Sequence, residues 1–140
     1  MAANDGAELS CFKSSSQLMS GVLVAVSIPI FTAQLEKARE ATDLANLRAA
    51  KAVTASAYLT DETVGTKTLG SQQTASVDVY YDAQNGKLVD AVPTNKYGKG
   101  TATDAGSSDT ALGYTGTTEA SGKAIKISVA TNGNMTFSWE

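Results

Sequence analysis

The 140-residue sequence contains no histidine, one cysteine (Cys11), two prolines and one tryptophan. Without histidine the side chain that titrates nearest neutrality is missing, which removes imidazole-based acid–base catalysis and the commonest zinc ligand. A lone cysteine closes no intramolecular disulfide, and because no lipobox-like apolar run precedes Cys11 we read it as a free thiol. Charge is scarce too, at 18% of residues, with eleven Lys and Arg against fourteen Asp and Glu and a net charge of -3. That balance argues against a general nucleic-acid binder, which carries a strong basic excess. Together these gaps argue against most enzyme classes, and no cofactor or metal is expected. What remains is sized for one modest domain with one core. Its low-charge, low-aromatic composition suits an exported surface protein.

Met1 to Ser20 shows no apolar period before Leu18 and reads as a poorly ordered segment. Ser14 with Gln17 matches a capping box and offers one helix start. Ser27, just before Ile28-Pro29, offers another, and if the helix starts earlier Pro29 kinks it. Leu18 to Phe31 is an uncharged apolar block of fourteen residues, short of the ~20 that a bilayer span needs. As a secretory signal it lacks a basic start, since Asp5 and Glu8 precede it, and no Ala-x-Ala site follows.

Phe31 to Leu59 is the most legible stretch. Phe31, Leu35, Ala38, Ala45, Ala49, Ala52 and Val53 recur at near-heptad spacing, which predicts an amphipathic helix with an Ala-rich stripe turned toward a flat partner. Glu36, Lys37, Arg39, Glu40, Asp43, Arg48 and Lys51 fall off that stripe and read as a solvated face with weak pairs such as Arg39 with Asp43. Beyond Glu62 the period becomes two. Val77, Val79 and Tyr81 alternate before Asn85-Gly86, and a three-residue loop Gln84-Asn85-Gly86 would pair Tyr81 with Val89 and Val79 with Ala91. Ile125, Ile127 and Val129 alternate before Thr131-Asn132-Gly133, pairing Val129 with Met135 and Ile127 with Phe137. Trp139, Phe137 and Ile127 are expected to be buried against Ala45, Ala49 and Val53. Between the hairpins, residues 94–122 form a long Gly-, Thr- and Ser-rich loop.

Motifs of catalytic or metal-binding type are weak. Ser10-Cys-Phe-Lys13 matches Ser-x-x-Lys without its companion motifs. Asp82-Ala-Gln-Asn-Gly86 has the wrong ligand spacing for a calcium loop and reads as a turn. Asp104 and Asp109 lack a third ligand.

The block from Val22 to Phe31, Val-Leu-Val-Ala-Val-Ser-Ile-Pro-Ile-Phe, runs directly into Thr-Ala-Gln-Leu-Glu-Lys-Ala-Arg-Glu-Ala. It resembles the inner half of the N-terminal helix of type IV pilins, with Pro29 at the family's helix-kinking proline. The motif covers roughly Val22 to Tyr58, and the remainder resembles the family by layout. The resemblance implies an α+β fold in which a long N-terminal helix packs on a small antiparallel sheet, organised as segment 1–20, helix 21–60 and globular part 61–140. It implies a structural subunit of a cell-surface filament, reached through the cytoplasmic membrane, with other pilin subunits as partners. Val22, Val24, Ile28, Pro29, Phe31, Leu35 and Ala38 would be the filament-packing residues. A pseudopilin of a type II secretion or DNA-uptake system is the neighbouring alternative. A different one is an adhesion module whose loop 94–122 presents Tyr97 and Tyr114. The family's Gly-Phe-Thr-Leu-Val-Glu signature is absent here, its acidic position falls on Phe12, and Glu8 is out of register. The chain as written is therefore expected to be soluble, uncleaved by prepilin peptidase and unable to polymerise. The missing disulfide of many Gram-negative pilins points toward Gram-positive or atypical relatives.

Overall fold

The computed structural model describes residues 30–140, with helix α1 (Ala2–Leu59) leading into them. The expected segment Met1–Ser20, the motif residues Ser10, Cys11 and Lys13, the helix starts at Ser14 and Ser27, and Val22, Val24, Ile28 and Pro29 lie outside the described residues. The chain divides into two units, Met1–Leu35 and Glu36–Glu140. In the first, Ile30, Phe31 and Leu35 are all exposed.

In the second unit α1 packs on antiparallel sheets, an α+β arrangement. The helix stops in a Schellman turn. Asp61 takes the left-handed position with φ 52°, and Glu62 N–H donates to Ala57 O at 2.9 Å. An aspartate occupies this usual glycine position while its carboxylate accepts Ser71 N–H at 2.5 Å. A two-stranded hairpin follows, β1 (Thr63–Val64) with β2 (Lys67–Thr68), then β3 (Val77–Asp82), β4 (Lys87–Val89), β5 (Ile125–Val129) and β6 (Met135–Trp139). The last four form one antiparallel sheet in the order β4-β3-β5-β6. Val79 and Tyr81 of β3 and Ile125, Ile127 and Val129 of β5 point inward onto Leu44, Leu47, Ala50 and Ala57 of α1. The outer face is polar. There Lys126 Nζ bridges Asp78 at 3.1 Å and Glu140 at 3.0 Å, and these two carboxylates hold the ammonium well above its ordinary pKa.

The second hairpin adopts the expected register, with Val129 opposite Met135 and Ile127 opposite Phe137. The first is shifted by one residue, since Tyr81 faces Leu88 rather than Val89. Asp82 pairs with Lys87, so four residues cross the turn, and the Asp82 carboxylate organises them by accepting Gln84 and Asn85 N–H at 3.0 and 3.3 Å. This register buries Leu88 beside Tyr81 and leaves Val89 half-buried. Three further expectations change. Phe137 and Trp139 are half-buried, because β6 is an edge strand. Trp139 meets Tyr114 edge-on at 6.3 Å. Ala45, expected beneath them, is exposed.

Gly133 sits in the β5–β6 turn at φ 81°, where a Cβ would come within 3.0 Å of the Tyr58 ring. Gly133→Val therefore combines left-handed strain with a clash and should cost about 2–4 kcal/mol in chemical denaturation. Asn134→Ala should cost less than about 1 kcal/mol. Equal losses would contradict the turn geometry.

Candidate functional site

Along the buried face of α1, Glu36, Glu40, Asp43, Leu47, Ala50, Thr54 and Ala57 recur at alternating spacings of four and three, with Leu44 buried beside them. The three acidic residues open this stripe from the inside of the protein. The solvated-face reading of Glu36, Glu40 and Asp43 is thus overturned, and their partners explain how. Residues 99–107 of the long loop lie across the helix with backbone N–H groups turned inward. Lys99 and Gly100 donate to Asp43 at 2.9 and 2.6 Å, Thr101 donates to Glu36 at 2.5 Å, and Ala105 and Ser107 donate to Glu40 at 2.8 and 3.0 Å. Arg39 adds an ion pair to Glu36 at 3.3 Å. A buried carboxylate is tolerated only when its oxygens are occupied in this way. Gly100 fits between the groups because a Cβ there would lie 2.6 Å from the Tyr114 hydroxyl and 2.8 Å from Asp43 Oδ2.

Acidification acts on two of these groups in opposite senses. Burial pushes the Asp43 carboxyl up, and the N–H groups of Gly100 and Lys99 only partly offset it, so the net pKa lies above the ordinary 3.8. The folded protein then binds that proton more tightly than the unfolded chain, and stability rises as the pH falls from neutrality through the raised value. Burial also pushes Glu36 up, but the Thr101 bonds and Arg39 outweigh it and hold the carboxyl below 4.5. Its stabilisation is present above 4.5 and is lost as the pH drops below it, as is that of the lowered Glu140, while that of the lowered Asp78 and Asp82 is present above 3.8 and lost below it. Stability followed by denaturant titration should therefore peak at mildly acidic pH. Asp43→Asn should flatten the rise from neutrality, and Glu36→Gln should reduce the fall at low pH.

With the acids inward, the opposite side of the helix carries little charge. Ala38, Ala45, Ala52 and Leu59, seven residues apart, are all exposed, and Leu59 is 81% exposed. Ala38, Ala45 and Ala52 thus face outward instead of lining the core, while Ala49 and Val53 are half-buried against it. Beside this face lies an open groove of about 390 Å³, lined by Arg48, Lys51, Ala52, Ala55, Asp109 and Leu112. The ion pair across it, Arg48 to Asp109 at 3.6 Å, is long and solvent-accessible, and worth little. In the first unit Phe31 is 70% exposed, Ile30 59% and Leu35 40%.

The two tyrosines of the adhesion reading are engaged internally. Tyr114 has no exposed surface, so it is a core residue and not a surface contact; its hydroxyl donates to Asp43 at 3.5 Å. Tyr97 is half-buried and donates to Gln84 Oε1 at 2.9 Å. Asp104 accepts Gly106 N–H at 2.8 Å, and among the described residues no group of three His, Cys, Asp or Glu is placed to hold a metal ion. No helix among the described residues is long and apolar enough to cross a membrane. Compared with protein-family models, curated proteins and solved structures, the chain finds no match.

Proposed function

We propose that the chain, when a complete prepilin leader and apolar segment stand in front of Val22, is a structural, non-catalytic subunit of a type IV pilus-like surface filament that assembles through α1. The observation that supports this most is the exposure of Phe31 and Leu35, which are one helical turn apart with Ile30 beside them. Large apolar side chains clustered in water mark a surface that a partner covers. In the Glu36–Glu140 unit the seven-residue repeat of Ala38, Ala45, Ala52 and Leu59 has the spacing of helix-to-helix packing, and alanine allows close backbone approach. Val22, Val24, Ile28 and Pro29 extend the packing set by resemblance to the family. The partners are other subunits, the precursor passes through the membrane, and the filament stands on the cell surface.

The test places a complete prepilin leader and apolar segment in front of Val22 and expresses the protein in a host with a filament assembly machine. The leader-bearing chain with Phe31 and Leu35 intact should enter filaments. Phe31→Asp combined with Leu35→Asp should fold normally and remain in the membrane fraction, since each side chain contributes about 1.5–3 kcal/mol when buried against a neighbour. Equal incorporation of the two versions would refute assembly through this face.

A further inference from the structure

The dipeptide Asn-Gly occurs twice, at Asn85-Gly86 and at Asn132-Gly133, each time in a hairpin turn. It is prone to spontaneous deamidation because glycine puts no side chain between its backbone nitrogen and the asparagine carboxamide. The two turns constrain it differently. At Asn132, the Tyr58 hydroxyl donates to Thr131 O at 2.9 Å, and the Tyr58 ring stands 3.0 Å from where a Gly133 Cβ would be. Asn132 Oδ1 is itself occupied by Asn134 N–H at 3.0 Å. Both asparagines are exposed, but at Asn85 nothing lies within 4 Å of the corresponding point on Gly86. Asp82 closes that turn: its carbonyl accepts Gly86 N–H at 2.8 Å, as Ala130 O accepts Gly133 N–H at 2.9 Å in the other, and its carboxylate accepts Asn85 Nδ2 at 2.6 Å.

We propose that Asn85 is a site of spontaneous succinimide formation and deamidation, and that Tyr58 protects the identical pair at Asn132. Gly86 N attacks Asn85 Cγ, forming a C–N bond in a five-membered imide. The bond from Cγ to the side-chain nitrogen breaks, and ammonia leaves with the proton that Gly86 N gives up to solvent. Water then opens the imide at either carbonyl, giving aspartate or isoaspartate. The product puts a second carboxylate against Asp82 in place of a donor. The effect reaches the long loop, because the neighbouring Gln84 Oε1 accepts Asn95 Nδ2 at 2.6 Å and the Tyr97 hydroxyl at 2.9 Å.

The full chain is incubated in mildly alkaline buffer, folded and in concentrated urea, and the mass gain of amide-to-acid conversion is followed at each asparagine by peptide mapping. In urea the two sites should convert at similar rates. In the folded protein Asn85 should convert several-fold faster than Asn132. Tyr58→Phe, which removes the bond to Thr131, should narrow the gap, and Asn85→Gln should abolish the faster conversion. If Asn132 converts as fast as Asn85 in the folded protein, or Asn85 stays intact there while both sites convert in urea, the proposal is wrong.

Discussion

Glu40→Ala is expected to destabilise the protein by about 2–4 kcal/mol, because it strips two backbone donors of their acceptor at roughly 1–3 kcal/mol each. Those donors, Ala105 and Ser107 N–H, belong to the loop, and Glu40 itself has no exposed surface. Hydrogen exchange at residues 99–107 should accelerate in the variant more than exchange in β5, whose amides are held by the sheet. Glu40→Gln keeps one acceptor oxygen but turns an amide N–H₂ toward the other donor, so a loss of about 1–2 kcal/mol is expected. A loss below about 0.5 kcal/mol for Glu40→Ala would mean that the carboxylate faces solvent.

The second large effect tests the phase of the helix. Leu47→Ala removes a side chain with no exposure from the centre of the buried stripe and should cost about 3–4 kcal/mol by lost burial and a residual cavity. Two residues away, Ala45→Glu adds bulk and charge on the exposed side and should stay within about 0.5 kcal/mol. If α1 packed through the Ala stripe that its sequence pattern suggests, the order would reverse and Ala45→Glu would be the severe change. Urea titration of the two variants decides between these phases.

That contrast shows how far the sequence speaks and where it stops. The helical character of residues 31–59 follows from period, and so does the β5–β6 register, because Ile125, Ile127, Val129, Met135, Phe137 and Trp139 alternate cleanly around a turn closed by a left-handed glycine. The β3–β4 register slips by one. The apolar run Leu88-Val89 offers two inward choices, and the Asp82 side chain, not the hydrophobic pattern, selects the turn. The inward face of α1 is misread for a stronger reason. Carboxylates at Glu36, Glu40 and Asp43 look like solvent groups until a loop with unpaired N–H groups is laid on them, and that loop lies more than fifty residues further along the chain. A signal was nonetheless present. Leu44 and Leu47, the bulkiest apolar side chains in that part of the helix, lie in phase with the acids and out of phase with Ala45 and Ala52. The burial of Tyr114 follows from the same loop, whose extended Gly- and Thr-rich sequence carries no period to show which side chains turn inward.

The proposal that this chain builds a surface filament through α1 is tested most directly by immunogold electron microscopy of pilus-competent cells that express it with a complete prepilin leader and apolar segment in front of Val22, with antibodies raised against the folded Glu36–Glu140 unit. Gold particles strung along thin filaments that leave the cell surface are the expected result. Label spread over the envelope or confined to the cell interior, with filaments present but unlabelled, would contradict it.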